Sequence, residues 1–435
     1  MRSALVRRGG WLALLLCGGV VQAQPAALPE APADPLTATA DPVTWPTIVD
    51  IAFEGNDTTQ PRTMQRELVI QVGDPADPAR IERSRQAVLN LGLFKQVDVR
   101  EERIASGVRV VFVVRERYFI LPTPRFDAKS DGRYAYGAQL RWNNLWGLNH
   151  TLRLFWEQEE QQREGIGKDT QWSAGYYAPF VADTPYNVGL AADYTTRPVI
   201  GQAGAYDEEF RSSVATVSRT FSDGPASQGW TVGGGLRWQE QRTQGVFARP
   251  AYGEATAPLV YVNFRDFHQR IYSEVGTVYG AGYEYADDGW GDYGYANLSL
   301  GGLRYLQLGS TEHQTLHLIA NTGLQFGGPG EVERYSLGGA SRLRGYDLDF
   351  IEGNAYWYTA VELARPVRWR WLRAVLMIEA GNVAATPEDM NGRVYGSVGA
   401  GLRLRFSNFI NFEVEAGIAL PLNGDGGARF FAGGV

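Results

Sequence analysis

All 22 Tyr of this 435-residue chain lie at or beyond Tyr118, as do ten of its 12 Trp. Tyr and Trp concentrate where a membrane meets water, so the asymmetry marks a change of solvent along the chain. Past residue 25 no stretch approaches the ~20 uninterrupted apolar residues that a spanning helix needs. The other way across a bilayer is a closed sheet that satisfies its own backbone. From residue 118 onward, segments of about ten alternating residues recur every twenty or so, the pattern of a β-barrel.

The alternation is clearest from Val394 to Phe406. Val394, Val398, Ala400, Leu402, Leu404 and Phe406 share one phase, while Tyr395, Ser397, Arg403 and Arg405 share the other. In Ile410 to Leu420, Asn411, Glu413 and Glu415 oppose Phe412, Val414 and Ile418. Thr231 to Trp238 sets Val232, Leu236 and Trp238 against Arg237. A soluble sandwich would alternate in the same way with its apolar face turned inward. Two features favour lipid: an export signal, and aromatics near segment ends such as Tyr176-Tyr177 and Tyr356-Trp357-Tyr358. The spacing predicts sixteen strands, beginning near 119, 133, 151, 169, 186, 206, 229, 257, 272, 293, 313, 354, 372, 393, 410 and 428. The longest gap, Gly327 to Gly353, separates the eleventh from the twelfth.

Residues 1–23 read as a signal peptide, with Arg2, Arg7 and Arg8 before a short apolar core and Val21-Gln22-Ala23 at the cleavage site. Removing three Arg and no acid takes the net charge from −7 to −10. Such a balance leaves no basic footprint for nucleic acid. Cys17 is the lone cysteine and leaves with the signal, which excludes disulfides and thiolate metal sites from the mature chain. The Pro- and Ala-rich stretch 24–46 reads as an extended tether.

Residues 47–117 predict a small β-α-α-β-β domain. Thr47 to Phe53 alternates as a strand, and Pro61 opens a helical stretch with Met64, Leu68 and Val69 on one face, ending at Gly73. Asp77-Pro78 is an N-cap followed by Pro at the first helical position. Ile81, Ser84, Val88 and Leu91 give this second helix one buried stripe before Gly92. Strands Gln96 to Glu102 and Val108 to Arg117 follow, joined at Ser106-Gly107. The segments "IVDIAFEGN", "MQRELVIQVGD", "LNLGLF" and "GVRVVFVVRER" resemble a polypeptide-transport-associated (POTRA) domain. That resemblance implies a periplasmic module that takes incoming chains by strand addition at a sheet edge.

The long gap carries "SLGGASRLRGY", Ser336 to Tyr346. It resembles the sixth extracellular loop of the outer-membrane assembly superfamily of BamA and TamA type, which includes the two-partner secretion pores. The resemblance implies a transmembrane 16-stranded antiparallel β-barrel behind one POTRA domain (118–435 behind 47–117), with the loop tip Arg344-Gly345-Tyr346 folded into the lumen and Gly338 and Gly339 as part of the same loop motif. An Arg in a partly dehydrated lumen needs carboxylates that its planar fork can grip. Glu379 in "MIEAGNV" and Glu362 in "AVELARPV" both fall on the inward phase, with Glu379 as the main partner. The "EAG" triplet resembles the family's acid-small-Gly motif, with Glu in place of the more usual Asp. The chain also departs from the family by ending Phe430-Phe431-Ala432-Gly433-Gly434-Val435. Family chains usually finish on an aromatic residue, and two Gly weaken the last strand against the first.

No chemistry beyond this is expected: no cofactor, no metal and no catalysis. His313 and His317 are expected on one strand face without a carboxylate or Cys cluster to complete a metal site, and no G-x-S-x-G occurs. The expected partners are unfolded outer-membrane or secreted polypeptides, outer-membrane lipid and accessory lipoproteins. The leading function is assembly and insertion of outer-membrane proteins from the periplasmic domain through a barrel seam. The alternatives are a secretion pore for a dedicated substrate and a passive channel.

Overall fold

The computed structural model describes residues 45–128, 134–160, 169–201, 204–244, 252–328, 335–424 and 426–434. The expected signal peptide and nearly all of the tether lie outside these residues. Pro46, counted with the tether, belongs to the small domain, since its carbonyl accepts from Ala76 N at 2.8 Å.

In the small domain the order is β1 (Ile48–Glu54), α1 (Pro61–Gln65), α2 (Pro78–Asn90), β2 (Phe94–Ile104) and β3 (Gly107–Glu116). Strand β3 is central, parallel to β1 and antiparallel to β2. That position explains its near-continuous apolar run, Val108 to Val114, with Val110, Val111 and Phe112 fully buried. Ile81 and Val88 of α2 close the core over Ile48, Met64 and Phe94. Asp77 caps α2 by accepting from Ala79 N. The first helix stops after five residues instead of running to Gly73. Arg66 to Ile70 leave it because Glu67 is engaged by the barrel and Ile70 packs into the domain core.

The remaining chain forms one sixteen-stranded antiparallel barrel sheet. Its first half holds β4 (Ile120–Ala128), β5 (Tyr134–Leu145), β6 (His150–Glu160), β7 (Asp169–Ala178), β8 (Tyr186–Gly201), β9 (Gly204–Phe221), β10 (Gly229–Gln244) and β11 (Tyr252–Gln269). After β12 (Glu274–Ala286), β13 (Tyr295–Gln307) and β14 (Thr315–Gly327), a short hairpin interrupts the order, β15 (Tyr335–Leu337) with β16 (Ile351–Gly353). The sheet resumes with β17 (Ala355–Pro366), β18 (Leu372–Ala384), β19 (Tyr395–Arg405), β20 (Glu413–Pro421) and β21 (Arg429–Gly434). Every start lies within five residues of the position read from alternation. Among the described residues β4 and β21, the two ends of the sheet, share no ladder.

The two faces differ as the alternation requires. Leu376, Ile378, Leu402 and Ile418 stand outward and exposed, whereas Glu379, Ser397, Arg403 and Glu415 are buried on the lumen side. An apolar band this extensive on a folded chain identifies a surface that lipid covers.

The small domain sits over one mouth of the barrel and bonds to its short turns. Gln60 N and the Thr63 hydroxyl both donate to Gly147 O, at 2.9 and 2.8 Å. Asn90 Oδ1 accepts from Gln269 N at 2.9 Å, and Arg62 pairs with Asp183 at 2.5 Å. Tyr118 N donates to Asn408 O at 2.7 Å, where the chain enters β4.

Candidate functional site in the barrel lumen

The segment between β14 and β17 turns back into the lumen, and backbone geometry explains why it is glycine-rich. Gly338 has φ +125°, and a Cβ there would stand 2.0 Å from Asp347 O. Gly345 passes so close to the wall that a Cβ would meet Pro421 N at 2.7 Å and Ser397 Cβ at 2.9 Å. Gly339 (φ +99°) continues the bend that Gly338 begins. Between these points Leu343, fully buried, joins Leu337, Tyr346, Tyr356 and Tyr358 in an apolar cluster that seats the loop. Residues 329–334 of the expected loop lie outside the described residues.

Arg344, at the tip, reaches three strands. Its backbone N donates to Glu379 Oε2 at 2.8 Å, and its Nε to Glu379 Oε1 at 3.0 Å. Nη1 donates to Glu415 Oε1 at 2.9 Å, and Nη2 to Glu362 Oε1. Opposite it, Arg403 donates to Glu415 Oε2 from Nε at 2.6 Å and to Glu362 Oε2 from Nη2 at 2.7 Å. Tyr358 and Ser397 hydroxyls each donate to Glu379 at 2.7 Å. These five charged side chains are at most 6% exposed. Buried carboxylates are tolerable on these terms, because nearly every oxygen meets a cation or a hydroxyl. Tyr346 completes the tip: its hydroxyl lies 2.6 Å from Asn423 O and 3.0 Å from Gly396 O, and its ring meets Tyr395 edge-on.

The structure brings Arg344, Glu379 and Glu362 together, as the inward phases of β17 and β18 suggested. Glu415 and Arg403 were legible as inward residues but not as members of this cluster. Their membership depends on register, which sets Arg403 directly opposite Glu415 and His317 opposite Glu362. His317 Nδ1 stands 3.4 Å from Glu362 Oε2. His313 does not share its face; it lies in the turn before β14 with φ +63° and bonds the Ser273 hydroxyl. Tyr356 and Tyr358 also depart from expectation, being buried against the loop rather than standing at the lipid boundary. Alternation sends them inward, and only Trp357 between them takes the other phase.

A second layer lies nearer the small domain. Arg373 pairs with Glu413 at 3.0 Å, and Arg405 pairs with Glu413 at 3.0 Å and with Glu274. Arg117, between β3 and β4, donates to Phe94 O at 3.1 Å, and burial lowers its pKa to about 10.

A family model described as POTRA, surface antigen variable number repeat, matches residues 46–117. The outer membrane protein assembly factor BamA of Neorickettsia risticii (strain Illinois) is 25% identical over 155 residues. That match covers 34% of this chain and spans 19% of the length of the relative. Among solved structures, BamA from Haemophilus ducreyi lacking POTRA domains 1–3 aligns with a TM-score of 0.51 at 15% identity, over 88% of this chain and 82% of that one. CdiB from Escherichia coli aligns with a TM-score of 0.62 at 14% identity, over 89% and 75%. CdiB from Acinetobacter baumannii gives 0.58 at 14% identity, over 89% and 73%. Likeness at such identity is likeness of fold, and it covers domain and barrel together. The chain thus carries a POTRA domain at 46–117 ahead of a sixteen-stranded barrel sheet, a fold similar to that of BamA and CdiB.

Proposed function

We propose that this protein assists assembly and insertion of outer-membrane proteins. Its POTRA domain receives the unfolded polypeptide, and the seam between β4 and β21 hands it to lipid. The observation that carries this reading is where the domain sits. Strand β2 is an edge of the domain sheet, its Lys95 bonds Asn408 in the turn before β20, and three residues after Arg117 the chain enters β4. A strand added to that edge therefore starts beside the strands that flank the seam. Insertion needs no nucleotide, because closing backbone hydrogen bonds inside lipid is downhill. The clustered ions of the lumen serve to hold the loop, and no catalytic chemistry is assigned to them. The loop and the docked domain crowd the route that a secretion pore would leave open.

The test is reconstitution. Liposomes carrying the purified protein should fold a urea-unfolded outer-membrane barrel faster than empty liposomes, read as heat-modifiable migration on gels. Photo-crosslinkers in β2 should capture that chain during the reaction. Equal rates with and without the protein would overturn the reading, and passage of a soluble client into the liposome interior would favour secretion.

A further inference from the structure

The first strand of the barrel reads Ile120-Leu-Pro-Thr-Pro-Arg-Phe-Asp-Ala128. Its backbone phase follows from one bond: Asn143 N donates to Phe119 O at 2.8 Å. In an antiparallel ladder a residue directs its N–H and C=O to the same side, and the side alternates along the strand. The register runs Ile120↔Trp142, Pro122↔Leu140 and Pro124↔Ala138. Phe119, Leu121, Thr123 and Arg125 therefore turn their polar groups to β5. Ile120, Pro122 and Pro124 turn theirs to the seam. Proline has no N–H, so the free edge of β4 offers carbonyls at 122 and 124 but no donors.

A strand laid against this edge completes only one of the two bonds at each of two successive pairs. Its own carbonyls opposite Pro122 and Pro124 stay unpaired in lipid, where no water replaces the missing donor. Across the seam the other lip is braced from within. Arg429 of β21 pairs with Asp347 of the loop, and the Arg344 guanidinium lies 5.5 Å from the Phe431 ring centroid. The two lips are unequal: one is tied to the lumen loop, and the other carries an edge that cannot be fully paired.

We propose that Pro122 and Pro124 are positioning residues that keep the seam edge of β4 half-paired, so that it takes an entering strand and releases it, while β21 serves as the fixed lip. The gating role rests on the assembly reading above; the edge chemistry does not.

The experiment restores the donors. In a Cys17→Ser background with Thr123→Cys and a cysteine scanned through 429–433, oxidation reports how often the lips meet. Pro122→Thr with Pro124→Val should raise the best crosslinking yield about tenfold, as two added backbone bonds would, and should slow client insertion into liposomes. Pro124→Val alone should give an intermediate yield, which keeps the test available if the double variant folds poorly. Unchanged yield in either variant overturns the inference, and where the parent inserts clients a raised yield with undiminished insertion overturns the gating role. A raised yield when neither chain inserts clients leaves the edge assignment standing and sinks the assembly reading instead.

Discussion

Arg344 joins three strands of the wall to the loop that carries it, and its removal has consequences that depend on who is left behind. The inner cluster holds Glu362, Glu379 and Glu415 against Arg344 and Arg403, already one negative charge in excess. Arg344→Ala should destabilise loop seating by about 3–5 kcal/mol, the range for breaking a buried pair. The expected signs are protease sensitivity between 335 and 353 and altered conductance, with the barrel still formed. Arg344→Lys should recover part of the loss, because an ammonium cannot fork. Double-mutant cycles should show Arg344 coupled to Glu362 as well as to Glu379, and simple additivity with both would mean that the guanidinium does not hold the loop. Glu67 makes a second residue-scale case. Its carboxylate, fully buried, accepts from Ser227 N at 3.0 Å and from the Ser227 hydroxyl at 2.8 Å. Burial pushes its pKa up, against the pull of Ser227, Arg66 and Arg265. A raised value in the docked state means docking is strongest below the ordinary carboxylate range and weakens as pH rises through the raised value. Amide exchange in turn 222–228 should therefore quicken with pH beyond its intrinsic dependence, and Glu67→Gln should abolish that excess. An excess that persists in the glutamine variant assigns the effect to another group.

At the scale of elements, the barrel strands were legible because period-2 alternation survives wherever one face meets lipid and the other a polar lumen. Leu376 and Ile378 stand out of the wall on either side of Met377, and this needs no tertiary information. The loop tip was legible for another reason: Arg344-Gly345-Tyr346 is a local motif, and its glycine answers a local demand for space. What alternation does not carry is register, so Glu415 and Arg403 could be placed on the inward face without being placed beside Arg344. The first helix of the POTRA domain was overestimated because the pull on Glu67 comes from a barrel turn some 160 residues away. Gly345→Ala tests the loop as an element. With Pro421 N only 2.7 Å from the added carbon, the tip has to lift from β20 while every charged partner remains. Loop release comparable to that of Arg344→Ala is expected in limited proteolysis. A chain as resistant as the parent would show that the wall yields instead of the loop.

For the whole molecule the question is which route a client takes past a domain docked over the mouth. The domain is fastened to turns that are far apart in sequence: Gly147, Asp183, Ser227, Gln269 and Asn408. Each bond contributes little alone, about 0.5–1.5 kcal/mol, yet together they resist tilting because one hinge cannot release them all. A client threading the lumen must displace the domain from these turns. A client adding to the outer edge of β2 and sliding to the seam leaves them intact. Fastening the domain therefore separates the two routes. With Arg62→Cys and Asp183→Cys, exposed positions whose native side chains already pair at 2.5 Å, a short bifunctional thiol reagent should tie domain to barrel. Insertion of an unfolded barrel client into liposomes should proceed at a similar rate before and after the reagent, and recover nothing when a cleavable tether is cut. A rate that collapses on tethering and returns on cleavage would place the path through the lumen, and the seam would then be a by-product of the fold rather than its working part.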